Sequence, residues 1–222
     1  MKLKPADAAR FIRSHTILQA PPLIPEIRLW TAAEATALWE ASENFLEEVG
    51  LQPPFWAFPW AGGQALARYI LDRPETVAGK RTLDFGSGSG LVAIAALLAG
   101  ARTATAADLD PLAAVAATLN GEANGCAPTP FVGDAISLDP GAFDIILAGD
   151  VCYDRRQADP SSAWLFAASQ EAETVLIGDP GRAYFPRHGL DVVAEYQAVT
   201  PLELEKADIT ATRVWRARRS PI

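Results

Sequence analysis

The residues of this chain that can do chemistry are a few glycines and carboxylates, spaced roughly one strand or one helix apart. Leu83-Asp84-Phe85-Gly86-Ser87-Gly88-Ser89-Gly90 carries three glycines in five positions, with an acid just ahead of them. Glycine tolerates φ > 0 and has no Cβ, so such a loop can turn sharply and press bare backbone against a small molecule. Asp108 follows 22 residues after Gly86. An ionised carboxylate offers acceptors and no donors, so an acid there can take both hydroxyls of a ribose. Asp110, just ahead of Pro111, reads instead as a helix cap. Gly133-Asp134-Ala135 adds a third acid, where an Asp and the following backbone N–H can read an adenine edge. Taken alone, an Asp in that position is more often a turn residue. Two further acids stand in Asp150-Val151-Cys152-Tyr153 and Gly178-Asp179-Pro180-Gly181-Arg182. No metal site is expected: His15 and His188 are far apart, and Cys126 and Cys152 lack ligand spacing.

These residues need strands and helices to bring them together. From Arg81 onward the two patterns alternate. Strands are expected at Arg81 to Phe85, Thr103 to Ala107, Pro130 to Val132, Phe143 to Ala148 and Thr174 to Ile177. Val192 to Val199 and Ile209 to Arg216 have the alternation of a terminal antiparallel pair. Helices are expected at Leu91 to Leu98, Pro111 to Ala123 and Ser161 to Glu173. Such repeats predict an α/β fold, a mostly parallel Rossmann-like sheet of seven strands with helices on both faces. Every suspicious motif then falls at the carboxyl end of a strand, where open sheets bind ligands.

Upstream, Ala6 to Ser14 could form a short helix, and Pro21, Pro22 and Pro25 enforce an extended segment. Thr31-Ala32-Ala33-Glu34 is a capping-box pattern opening a helix to about Val49. Gly62 to Leu71 is expected to be helical and to feed the first core strand. The whole chain, 1–222, reads as one domain, with residues 1–75 an extension and 76–222 the core. The extension, with Trp30 and Trp39, would either cover a ligand or cap the sheet.

The apolar run Leu91 to Ala99 is far short of the ~20 residues that span a bilayer. The first residues carry no apolar signal core, and two unpaired cysteines suit a reducing interior, so a cytoplasmic monomer without membrane contacts is expected. A net charge of −8 argues against broad binding to a phosphate backbone. It suits a basic protein partner or simply keeps the chain soluble.

The G-x-G-x-G loop behind Asp84, answered by Asp108, resembles the first motif of S-adenosylmethionine-dependent methyltransferases of the seven-strand class. A nicotinamide dehydrogenase is the nearest competitor, but it would want G-x-G-x-x-G and a hydride-site His or Tyr–Lys pair. The resemblance implies that Gly86, Ser87, Gly88 and Gly90 cradle the methionine part of the cofactor. Asp84 would take its amino group, directly or through water. Asp108, with Leu109 beside it, would hold the ribose, and Asp134 and Ala135 the adenine.

Methyltransferases acting on amide or exocyclic amino nitrogens often carry Asn/Asp-Pro-Pro-Tyr after the fourth strand. Here Val151 and Cys152 replace the prolines. The remaining Asp-x-x-Tyr resembles the seven-β-strand protein lysine methyltransferases of family 16. Trp60-Ala61-Gly62-Gly63-Gln64-Ala65-Leu66-Ala67 is similar to that family's upstream segment, whose Trp walls the cofactor pocket. With Gly178-Asp179-Pro180-Gly181-Arg182 and Pro54-Phe55-Trp56-Ala57-Phe58-Pro59, the chain looks like the branch acting on lysines of the electron transfer flavoprotein β-subunit. Lacking an evident mitochondrial presequence, it looks like a bacterial relative. The resemblance implies that Asp150 and Tyr153 are catalytic, orienting the acceptor amine. Trp56, Trp60 and Phe58 could line the acceptor slot or pack as ordinary core. Asp179 and Arg182 could shape that slot or pair with each other. A ribosomal or other protein acceptor, and a cofactor-binding module without turnover, are the alternatives.

Overall fold

The computed structural model describes residues 5–32, 53–199 and 209–219. Its chain opens with α1 (Pro5–His15), then β1 (Ile17–Gln19) and β2 (Leu29–Thr31), which pair antiparallel. The extended segment expected at Pro21, Pro22 and Pro25 is corrected: the prolines sit in two successive turns, closed by Ile24 N–H to Pro21 O and Ile27 N–H to Ile24 O, which fold β2 back onto β1. Ile24, Ile27 and Leu29 are wholly buried and pack on Ala67, Leu91, Ile94 and Ala95. Each such side chain contributes ~1.5–3 kcal/mol on burial, so this part of the extension caps helices of the core. Thr31, read as a helix cap, instead closes β2. The rest of the helix expected up to Val49, with Trp39, lies outside the described residues.

The core begins with α2 (Ala61–Asp72) and β3 (Arg81–Phe85), followed by α3 (Leu91–Leu98), β4 (Thr103–Asp108), α4 (Pro111–Ala123) and β5 (Thr129–Val132). Then come β6 (Ile145–Gly149), α5 (Arg155–Ala168), β7 (Thr174–Asp179), β8 (Leu190–Val199) and β9 (Ile209–Ala217). The sheet runs β5-β4-β3-β6-β7-β9-β8. Strands β5 to β7 in that order are parallel, and β9 pairs antiparallel with both β7 and β8. The predicted seven-strand architecture with a terminal hairpin is therefore the observed one.

Strand β4 is rich in alanine and poor in intrinsic strand preference, yet Ala104, Ala106 and Ala107 are buried between β3 and β5. Pairing and burial override propensity there. α2 and α3 cover one face of the sheet and α5 the other. α3 is apolar all round because the sheet lies on one side and the Ile24–Leu29 segment on the other. The expected helix over Ser161 to Glu173 is corrected: α5 starts at Arg155, where the Asp154 side chain accepts from Arg156 N–H, and runs through Pro160. Pro160, at the sixth helical position, removes one i→i−4 bond on an exposed stretch, and the buried face of Ala158, Ser161, Leu165 and Ala168 carries the helix past it. Among the described residues no helix is long and apolar enough to cross a membrane.

Because the chain runs outward from β3 to β5 and returns on β3's other side as β6, strand order reverses between β3 and β6. The crevice at their carboxyl ends is the topological switch point where open sheets bind ligands.

Candidate active site

The β3 end of this crevice is built almost wholly from backbone. Gly86, Gly88 and Gly90 have φ of 67°, 49° and 76°, all in the left-handed region that glycine occupies without strain. Gly90 is also fixed by packing, since a Cβ there would stand 2.7 Å from the Ala117 Cβ on α4. Ser87 N–H donates to Ala107 O at 2.9 Å, which ties the loop to β4. The Ser87 hydroxyl is buried and has no hydrogen-bond partner among the described residues, an orphan in the wall of the cradle.

Asp84 lies beneath the loop, 2% exposed, and its Oδ2 accepts from Ala93 N–H at 2.9 Å, holding the first turn of α3. Burial pushes this carboxyl up to about 7. Asp108 closes β4: Oδ2 accepts from Gly88 N–H at 2.8 Å and Oδ1 from Asp110 N–H at 2.9 Å. Each oxygen keeps a second lone pair for a hydroxyl. Burial moves Asp108 upward as well. Asp110 caps α4 through Leu112 N–H at 2.8 Å, as its position before Pro111 predicts. Asp134 is the cap of the short turn Ala135–Ser137, accepting from Ile136 N–H, and Ala135 is buried behind it. Leu109 is 54% exposed beside Asp108, an apolar side chain on the rim of the crevice. Orphan hydroxyl, glycine cradle, diol-ready carboxylate and bare leucine together fit S-adenosylmethionine.

The β6 end is built differently. Asp150 is the one non-glycine with positive φ among the described residues, at 62°. Left-handed backbone at a non-glycine costs roughly 1–3 kcal/mol and persists only where the surroundings over-determine it. Here Asp150 N–H donates to Gly178 O at 2.9 Å, its Oδ2 accepts from Gly62 N–H at 2.8 Å, and its Oδ1 accepts from Arg182 Nε at 2.5 Å. The Gly62 bond sets Asp150 at the positive end of α2. No side chain could stand in the crossing. A Cβ on Gly62 would lie 2.2 Å from Gly178 O, one on Gly178 2.1 Å from Gly62 O, and one on Gly149 2.7 Å from Gly63 Cα.

Asp179 sits behind this carboxylate, 1% exposed, pushed up to about 7 by burial and by the Asp150 charge nearby. Its Oδ1 accepts from Gly181 N–H and Arg182 N–H, so it holds the loop backbone while the Arg182 guanidinium reaches Asp150. That answers the alternative of a side-chain pair between Asp179 and Arg182. Burial pushes the Cys152 thiol up to about 12, leaving it neutral and inert.

An aromatic wall stands alongside. Phe55 packs at 5.2 Å from the Tyr153 ring and 6.0 Å from Trp60, and the Arg182 guanidinium carbon is 5.9 Å from the Trp60 centroid. Trp60 Nε1–H donates to Phe55 O. The Tyr153 hydroxyl donates to Gln157, and its ring packs on Phe55. Trp56 is corrected: instead of lining the slot it is buried, packed with Ile12 of α1 and with Leu112 and Ala116 of α4. Phe58 is buried in the same cluster. Sequence reading missed Phe55 as a wall residue and Gly62, Gly149 and Gly178 as packing requirements. The signal for Gly62 was two glycines in the first turn of a helix, where each costs about 1 kcal/mol relative to alanine.

A glycine loop after β3, acids at the ends of β4 and β6, and this strand order define a methyltransferase of the Rossmann-like, S-adenosylmethionine-dependent class. Solved structures agree on the fold. A putative RNA methyltransferase from Pyrococcus horikoshii superposes with a TM-score of 0.55 at 19% identity, covering 70% of this chain and 82% of that one. A putative tRNA (m1A22) methyltransferase from Streptococcus pneumoniae, in complex with S-adenosylmethionine, gives 0.50 at 16% identity over 70% and 73%. Residues 65–149 match the family described as ribosomal protein L11 methyltransferase (PrmA). The electron transfer flavoprotein β-subunit lysine methyltransferase of Danio rerio is 40% identical over 222 residues, 97% of this chain and 85% of that protein. The chain belongs to the family of electron transfer flavoprotein β-subunit lysine methyltransferases.

Proposed function

We propose that this protein transfers a methyl group from S-adenosylmethionine to the ε-amino group of lysines on the electron transfer flavoprotein β-subunit. The observation that carries the reading is Asp150: a buried carboxylate, over-determined by Gly62, Gly178 and Arg182, beside an aromatic wall at the switch point. Membership of the family supplies the acceptor.

Gly86, Gly88, Gly90 and the Ser87 hydroxyl hold the methionine end of the cofactor, with Asp84 fixing the loop from below. Asp108 takes the ribose hydroxyls, and Leu109, Asp134 and the Ala135 N–H meet the adenine. When bound, the cofactor supplies a methyl carbon on a positively charged sulfur. A lysine ammonium has no lone pair and an unperturbed pKa near 10.4, so it must lose a proton before attack. The apolar faces of Phe55, Trp60 and Tyr153 favour the neutral amine by desolvation. Asp150 aims that amine along the line of attack and opposes its deprotonation by charge, so the proton leaves to water.

The test is transfer of labelled methyl to purified flavoprotein, with ribosomal proteins assayed alongside, followed by mass spectrometry. Label on lysines of the β-subunit is expected. Label on a ribosomal protein alone would replace the acceptor, and binding of cofactor without any label would overturn the catalytic reading.

A further inference from the structure

An ammonium that docks at Asp150 needs a carboxylate oxygen and an aromatic face. Both are already taken by a cation of the protein itself. Arg182 Nε lies 2.5 Å from Asp150 Oδ1, and the guanidinium carbon is 5.9 Å from the Trp60 ring centroid. The other carboxylate oxygen is engaged by Gly62 N–H at 2.8 Å. The contact is largely shielded from water, the Asp150 side chain being 4% exposed and that of Arg182 20%.

The backbone beneath Arg182 is fixed. Asp179 Oδ1 accepts from the N–H groups of both Gly181 and Arg182, at 2.6 and 2.8 Å, and Arg182 O accepts from Phe185 N–H at 3.1 Å. Any departure of the guanidinium from Asp150 is therefore a rotation of its own side chain, with the loop left in place.

We propose that Arg182 is a specificity-determining stand-in for the acceptor: its guanidinium occupies the amine subsite of the free protein, and an acceptor lysine enters only by displacing it. A bare alkyl ammonium must compete with an internal partner that carries the same charge and is already tethered. A lysine presented on a docked protein surface brings additional contacts that offset the displacement. The apparent affinity of any amine is lowered by the fraction of time the subsite is filled, and deleting the plug restores it. This inference rests on Asp150 being the acceptor end of the site.

The experiment uses n-butylammonium, the end of a lysine side chain, as probe on wild-type protein and on Arg182→Met, which keeps the apolar stem. Binding is followed by nuclear magnetic resonance, including the Arg182 Nε–H signal in the wild type. Arg182→Met is expected to bind the probe at least about tenfold more tightly than wild type. Saturating probe is expected to shift the wild-type Nε–H signal towards that of solvent-exposed arginines. Equal or weaker binding by a folded Arg182→Met, or an Nε–H signal unmoved by bound probe, would overturn the proposal. Should Arg182→Met fail to fold, the wild-type signal alone decides. Failure of the flavoprotein assignment is read separately, by mass spectrometry of wild-type reactions. Tight probe binding without flavoprotein methylation would keep the plug and discard that acceptor.

Discussion

The two ends of the crevice reach the same goal, a fixed carboxylate, by different means. At β4, Asp108 is held by N–H groups of residues two and twenty positions away, within the consecutive β3–α3–β4–α4 stretch. At β6, Asp150 is held by Gly62, 88 residues distant, and by Arg182, 32 residues distant. The cofactor end is thus assembled from segments that follow one another in the chain, the glycine loop, β4 and α4. The acceptor end exists only once α2, β6 and β7 have packed so closely that Gly62 and Gly178 admit no side chain. Cofactor capture can be shared across a class because its segments are consecutive. Acceptor choice is particular because it depends on tertiary contacts.

That contrast is open to attack. The largest effect should follow Gly62→Ala, whose Cβ would meet Gly178 O at 2.2 Å and Asp150 N at 2.7 Å. A loss of about 3 kcal/mol is expected, with methyl transfer lost alongside; thermal unfolding measures it, and a wild-type Tm would show the crossing to be slack. Asp150→Asn comes next. Asparagine tolerates left-handed backbone, so the fold should survive while transfer falls about 100-fold from a misaimed amine. Calorimetry should find cofactor affinity unchanged in that variant; a parallel loss of affinity would mean the two ends are not separate. Asp108→Asn should do the reverse, weakening cofactor binding by about 2 kcal/mol, roughly 30-fold, with little effect on turnover at saturation.

A last test separates the buried acids by pH. Asp84 and Asp179 titrate near 7 in the folded protein, raised mainly by burial. In the unfolded chain an Asp titrates near 3.9. Between those values the native state binds more protons than the unfolded one, so stability falls as pH rises from about 4 to about 7. Asp84→Asn keeps an acceptor for Ala93 N–H and removes one of these titrations. Its Tm should drop less than that of the wild type between about pH 5 and about pH 8, and parallel curves would show that Asp84 is not the titrating group.

The sequence by itself determined the strand and helix alternation from Arg81 onward and the glycine loop. It also determined the Asp110 cap with Pro111. These follow from periodicity, side-chain hydrogen bonding to nearby N–H groups and the conformational range of glycine, all of which act over a few residues. Asp150 was singled out only through the resemblance of Asp-x-x-Tyr to a known family. Only the tertiary structure decided how Asp150 is held, which aromatic faces the crevice and where the guanidinium of Arg182 goes. Trp56 and Phe55 are neighbours in sequence, yet α1 and α4 bury the first while Tyr153 and Trp60 flank the second. The physical reason is range. A side chain's burial, and the space left for a glycine, are set by segments tens of residues away.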